Sequence, residues 1–334
     1  MRVLFIGGTG VISSGCVQPL LDRGVELTFL NRGRSFRPTP QGVQVLLGDV
    51  YQSPTVQAAL HIHSFDVVVN WIAFEPTHIE ADLQRFSGKV GQYIFISSAS
   101  AYQKPPASLP IRESTPLHNP VWGYSQGKIA CEERLMRAYR ETGFPATIVR
   151  PSHTYDRTYL PIHGGWTNIE RLRVGKPIVI HGDGTSLWTM THHRDFGRAF
   201  AGLVGNPHAL GEAFHITSDE SLSWNQIYAY LADAFGAPLR AVHIASERIA
   251  ALDPSWGDSL LGDKAHSVLF DNSKIKGLVP GWRAEIPFWQ GAQEIAAHYA
   301  AHHELQVGDE AFDRTLERLL AAEAELRGEL ARRK

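Results

Sequence analysis

The opening residues, Met1-Arg-Val-Leu-Phe-Ile-Gly-Gly-Thr-Gly10, constrain the fold more than any other stretch of this chain. Val3 to Ile6 form a continuous apolar run with the length of a strand buried on both faces. Glycines at 7, 8 and 10 break that strand and open a helical segment, so the backbone turns sharply and leaves a helix N-terminus bare for an anion. Strand, glycine turn, helix and a second strand ending near residue 30 have the length of a dinucleotide-binding βαβ unit. Gly7, Thr9, Gly10, Val11 and Ile12 are then the expected pyrophosphate contacts. Ser13 stands where a third glycine would allow close helix packing, and its small side chain suits that place.

The pattern repeats. Apolar runs at 3–6, 26–30, 43–47, 66–69, 93–96 and 146–149 alternate with segments of helical period, which predicts an α/β fold. The expected architecture is a Rossmann-type doubly wound parallel sheet over residues 1–150. From Pro151 the composition shifts to Gly, Pro, His and Trp, and the elements shorten. Residues 151–304 are read as a smaller C-terminal substrate lobe, with a helix over 224–235 and segments that return to the first domain. Residues 305–334 end the chain as an amphipathic helix, with Phe312, Leu316, Leu319 and Leu320 on one stripe that packs on the body or on a second subunit.

Composition sets limits. At 334 residues, 43% hydrophobic and 20% charged, the chain is long enough for a large core, and its net charge of -2 makes no electrostatic case for nucleic acid or an anionic membrane. No cleavable leader and no run of ~18 apolar residues is visible, so a cytoplasmic protein without membrane attachment is expected. Cys16 and Cys131 are read as small buried hydrophobes. The pairs His61/His63, His192/His193 and His302/His303 lack the spacing of a catalytic metal site, and no metal is expected. Trp166 is read as core.

After the second strand, where a carboxylate would meet the adenosine ribose, stand Asn31, Arg32 and Arg34. Arginine suits a 2′-phosphate, which predicts NADP over NAD; Asn31 remains able to bond a free hydroxyl, so NAD is the alternative. Asp49 is placed to meet the adenine amino group, or simply forms a turn beside Gly48.

Tyr124 and Lys128, four residues apart, share a helix face. An ammonium beside a phenol stabilises the phenolate, so Lys128 is expected to bring Tyr124 down from its ordinary pKa near ~10 and make it an acid/base. The run Tyr93 to Tyr102 ends in Ser97, Ser98 and Ser100 at the carboxyl edge of the sheet, where such folds bind ligands.

With the glycine turn, the Ser98 strand end, Tyr124, Lys128 and Arg150-Pro151, residues 1–300 resemble the extended short-chain dehydrogenase/reductase family, especially its nucleotide-sugar epimerase and dehydratase branch. The resemblance implies pro-S hydride transfer at a secondary alcohol or ketone of a sugar-like substrate. It makes Ser98 and Tyr124 the groups that polarise the oxygen, Ser100 a substrate contact, Lys128 a ligand of the nicotinamide ribose and Ala73 part of the cofactor wall. It also implies a homodimer formed through two helices of the first domain.

The chain departs from that family at three places. Arg-Pro-x-Asn appears as Arg150-Pro151-Ser152-His153, so an imidazole replaces a substrate-contacting amide. The diphosphate-binding arginine expected near 188 is Trp188, and a second one is replaced by Leu260 or Leu261. His153 and Trp188 are kept as substrate candidates, with Arg157, His163, Arg248 and Lys264 as alternative phosphate ligands. Leu261 to Lys274 and the turn at Asn31 also look similar to the chloroplast stem-loop RNA-binding relatives of the family, which leaves a catalytically weak RNA-binding or dinucleotide-sensing protein as the alternative function.

Overall fold

A computed structural model describes residues 1–52 and 54–332. The side chain of His61 and the final Arg333 and Lys334 lie outside the described residues.

The apolar runs form strands β1 (Arg2–Ile6), β2 (Glu26–Asn31), β3 (Gln44–Leu47), β4 (Val67–Asn70), β5 (Gln92–Ile96) and β6 (Ala146–Pro151). A seventh strand, Ala213–Ile216, pairs with β6, and the sheet runs in parallel from it through β6, β5, β4, β1 and β2 to β3. Strand order reverses between β1 and β4, which opens a ligand crevice at their carboxyl ends. Helices α1 (Val11–Leu21), α2 (Pro54–Ile62), α3 (Pro76–Phe86), α4 (Gly123–Thr142), α5 (Trp166–Arg173) and α6 (His193–Leu203) complete the layers.

The pleat decides which helix each strand residue meets. Val3 and Phe5 join the core beneath α1 and α6, whereas Leu4 and Ile6 join the core beneath α2, α3 and α4. Cys16 and Cys131 are buried free thiols on opposite sides of the sheet. One strand departs from expectation: β3 was read as buried on both faces, but it closes the sheet edge, and Leu47 is 71% exposed.

Beyond Pro151 the chain builds the lobe from short pairings. His153–Tyr155 pairs with Met190–His192, Leu187–Trp188 with Leu222–Ser223, and Ile178–His181 with Ala241–Ile244. The helix Trp224–Ala234 starts at Ser223, which forms a capping box with Gln226. Trp166, Trp188, Trp224 and Phe288 pack into the lobe core. The last helix, Glu310–Arg332, sets Phe312, Leu316 and Leu319 against Val179, Ile249 and Trp256, so its apolar stripe covers this chain's own lobe. Among the described residues no helix is long and apolar enough to cross a membrane.

Candidate active site

Three serines meet where β5 ends. Ser98 caps a short turn over Ala99–Ala101, its Oγ accepting from the Ser100 N–H at 3.2 Å and lying 2.9 Å from Ser100 Oγ. Ser125, buried in the first turn of α4, donates its hydroxyl to Ser100 Oγ at 2.7 Å. With that bond accepted, the Ser100 proton is free to point at Ser98, an arrangement that leaves the Ser98 proton to donate elsewhere. Asn119 Nδ2 bridges the Ser100 carbonyl (3.0 Å) and the Gly262 carbonyl (2.7 Å), tying this turn to the lobe.

Tyr124 sits beside that hydroxyl chain, 39% exposed, with its ring 5.0 Å from Trp122 and 6.2 Å from Phe74. Burial pushes its phenol above the ordinary value; the neighbouring Ser98 hydroxyl pulls it down, and the Asp263 charge adds a smaller upward push. This corrects the expected direction, in which Lys128 was to lower the phenol. The Lys128 ammonium turns two of its three N–H donors to backbone, the Ala73 carbonyl at 2.7 Å and the Ile96 carbonyl at 2.8 Å. It lies 5.8 Å from the Tyr124 ring centre, and its own pKa is pulled down to about 8 by burial. Gly127 makes this approach possible, since a Cβ there would stand 2.5 Å from the Phe74 carbonyl oxygen.

A cavity of about 440 Å³ opens over these groups, lined by Ser98, Ser100 and Tyr124 from the first domain and by His153, Trp188 and Lys264 from the lobe. Ile12 reaches the same cavity from the start of α1. Trp188 Nε1 donates to His153 Nδ1 at 3.2 Å, and burial lowers the imidazole to about 3, so it is neutral. Of the residues considered as phosphate ligands, His163 and Lys264 line the cavity. Arg157 is exposed outside it, and Arg248 is paired with Glu323 of the last helix.

A second cavity of about 560 Å³ follows the carboxyl ends of β1 and β2, lined by Gly7, Thr9, Gly10, Asn31, Arg32, Arg34 and Asp49. Gly7 turns the chain at φ 86°, and a Cβ on Gly10 would meet nothing closer than Ser13 Oγ at 3.4 Å, so the helix N-terminus faces open space. Ser13 closes the turn by accepting from the Gly10 N–H at 2.8 Å. Asn31 Oδ1 accepts from the Gly33 N–H at 2.9 Å, and Arg32 lies 3.9 Å from Asp49. Val11 begins α1, and Ala73 is fully buried behind the cleft. An open cleft at a bare helix N-terminus, flanked by two arginines, fits a dinucleotide.

The model of the NAD dependent epimerase/dehydratase family matches residues 3–216 of this chain. The chain belongs to the NAD dependent epimerase/dehydratase family. It is accordingly an enzyme of the extended short-chain dehydrogenase/reductase type that uses a nicotinamide dinucleotide. Among curated members, the chain is 26% identical to 2′-dehydrokanamycin reductase of Streptomyces kanamyceticus, over 85% of this chain and 80% of that one. It is 27% identical to the chloroplast stem-loop binding protein of 41 kDa b of Arabidopsis thaliana, over 71% and 64% of the two chains. The UDP-glucuronic acid 4-epimerase of Bacillus cereus, solved with UDP-glucuronic acid and NAD, superposes with a TM-score of 0.73 at 18% identity, covering 90% of this chain and 99% of that one.

Within this family member, several groups at the site carry no sequence motif. Asn119, Ser125 and the buried ion pair of Lys104 with Asp263, 2.8 Å apart, become visible only when the lobe folds back. The run Asn119-Pro-Val-Trp just ahead of Tyr124 was the available signal for Asn119. Of the paired histidines, His192 and His193 are held by hydrogen bonds, whereas His63, His302 and His303 are exposed. His192 meets Glu294 at 3.2 Å and His193 meets Ser14 at 3.0 Å.

Proposed function

We propose that this enzyme reduces a ketone on a sugar-like substrate to a secondary alcohol, with Tyr124 as the proton donor and NADPH as the preferred dinucleotide. The observation that carries this is Tyr124 itself: it stands with Ser98 on the wall of the aromatic cavity, packs on Phe74 of the neighbouring dinucleotide cleft, and keeps its proton at neutral pH. When bound, the nicotinamide dinucleotide supplies the hydride. Ser98 donates to the ketone oxygen through the proton left free by the Ser125–Ser100 chain, and Tyr124 delivers its proton to the same oxygen as charge develops there. Lys128 orients the dinucleotide ribose, while Arg32 and Arg34 receive the 2′-phosphate.

Support for reduction over epimerisation comes from coverage: likeness to the reductase extends over 85% of the chain, whereas likeness to the UDP-glucose 4-epimerase of Lactobacillus helveticus extends over 45%. Trp188 and Leu260 or Leu261, apolar residues in place of the two arginines, favour a substrate without a nucleotide diphosphate.

The test is a carbonyl-sugar panel with purified enzyme and NADPH. Stoichiometric NADPH consumption that drops ~100-fold or more in Tyr124→Phe, the loss typical of a removed general acid, is the expected result. Full turnover in that variant would reject the role of Tyr124; tightly retained dinucleotide with no net consumption would mean an epimerase.

A further inference from the structure

Lys264 occupies an unusual place in the substrate cavity. Its backbone is held by three donors: the Lys264 carbonyl accepts from Trp224 Nε1 at 3.2 Å, from His181 Nε2 at 3.2 Å and from Ser186 Oγ at 3.3 Å. Its ammonium rests 5.0 Å from the Trp122 ring centre and 5.8 Å from that of Trp188. Yet among the described residues Nζ has neither a hydrogen-bond acceptor nor a carboxylate partner. The neighbouring Asp263 is taken by Lys104 at 2.8 Å.

His153 supplies a second donor without an acceptor. An indole N–H only donates, so the bond from Trp188 leaves His153 Nδ1 bare, and the neutral ring must carry its proton on Nε2. Among the described residues no acceptor meets that Nε2–H.

The charge balance follows. Lys104 and Asp263 cancel, and His153, His163 and His181 are all held below the ordinary imidazole value by burial, with the Lys264 charge also pushing each of them down. The cavity is left with one uncompensated cation. Burial lowers the Lys264 pKa because the ammonium there lacks a hydrogen-bonded counter-charge, and an anion on the ligand would supply that partner and hold the proton on Nζ.

We propose that the substrate carries an oxyanion, a carboxylate or a phosphate monoester on the sugar, which is received by Lys264 Nζ and the His153 Nε2–H. The inference rests on the assignment of this cavity to the substrate. It extends that assignment by naming the substrate's charge, and it disfavours a sugar that carries an ammonium at the position facing Lys264.

The test uses enzyme saturated with NADP+ and tryptophan fluorescence, since two indoles flank the ammonium. Glucuronate and glucose 6-phosphate are titrated against glucose and glucosamine. At least one anionic sugar should bind about tenfold or more tighter than glucose, the scale of one charge-assisted hydrogen bond, and glucosamine should bind more weakly. The tighter of the two anionic arms identifies carboxylate or phosphate. Lys264→Met should reduce the anionic sugars to the affinity of glucose, and Lys264→Arg should retain the preference. Anionic sugars no tighter than glucose in the wild type, including no binding by any of the four, would overturn the proposal. Tyr124→Phe separates the two levels: unimpaired turnover there removes the acid role of Tyr124, while the anion preference stands or falls with Lys264.

Discussion

Lys128 lies 5.8 Å from the centre of the Tyr124 ring, yet its ammonium is directed at the carbonyls of Ala73 and Ile96. The two residues on one helix face therefore divide their work: tyrosine holds a proton, and lysine joins the loop after β4 to the end of β5. Lys128 is charged below about 8 and neutral above it. If it orients the dinucleotide ribose, dinucleotide affinity should fall as pH rises through about 8, and Lys128→Met should show weaker, pH-independent binding. Equilibrium titration at several pH values reads this directly; an unchanged pH dependence in the variant would remove Lys128 from the cofactor site.

The Ser125 hydroxyl lies outside the cavity lining, and its bond to Ser100 Oγ leaves the Ser100 proton free for Ser98. Ser125→Ala should lower kcat about fivefold, the scale of one neutral hydrogen bond at ~1 kcal/mol, with KM unchanged. A rise in KM at constant kcat would contradict a role in orienting Ser98.

The proposed preference for NADP rests on Arg32 and Arg34, which line the cleft beside Asn31. Replacing Arg32 by alanine should weaken NADP+ by about tenfold while leaving NAD+ nearly unaffected, as one lost charge-assisted contact requires. Equal losses for both dinucleotides would assign Arg32 to the shared part of the molecule.

Arg150 and Glu132 form a buried pair, 2.6 Å apart, that fastens α4 to the end of β6. Breaking it from one side, as in Arg150→Met, should cost about 3–5 kcal/mol by urea denaturation because the Glu132 carboxylate is left buried and unpaired. The double replacement Arg150→Met with Glu132→Leu should recover much of that loss; if it does not, the contribution is packing rather than charge.

Acid should destabilise the fold before carboxylates titrate. His181, His192 and His193 are each lowered from an ordinary value of 6.5 to about 4, with burial the largest cause. Between those values the unfolded chain binds more protons than the native one, so stability present above pH 6.5 is lost as pH falls towards 4. Urea midpoints should decrease over that interval with proton uptake on unfolding, and a midpoint constant from pH 7 to 4.5 would be inconsistent with neutral buried imidazoles.

Six strands of the sheet were legible because each is a short, mainly apolar run bounded by polar or glycine residues. Ala213–Ile216 was not, since its four residues lie within lobe sequence and their partner, β6, is more than sixty positions away. The site divides in the same way. Ser98, Tyr124 and Lys128 stand in local patterns, and the structure brings Ser98 and Tyr124 to one wall. The raised phenol was unreadable from spacing, because burial and the two carbonyls that draw Lys128 away are tertiary facts. Lys264 appeared in sequence only as one basic residue among several; its isolation depends on Lys104 claiming Asp263.

That seventh strand also governs how the protein can be cut. Because the chain leaves the sheet at Pro151 and comes back at Ala213 to shield β6, a fragment ending at residue 150 would present a bare hydrogen-bonding margin and lose α6 from one face. The first 150 residues thus hold an unfinished sheet, whose outermost rung is supplied by chain that has already travelled through the lobe.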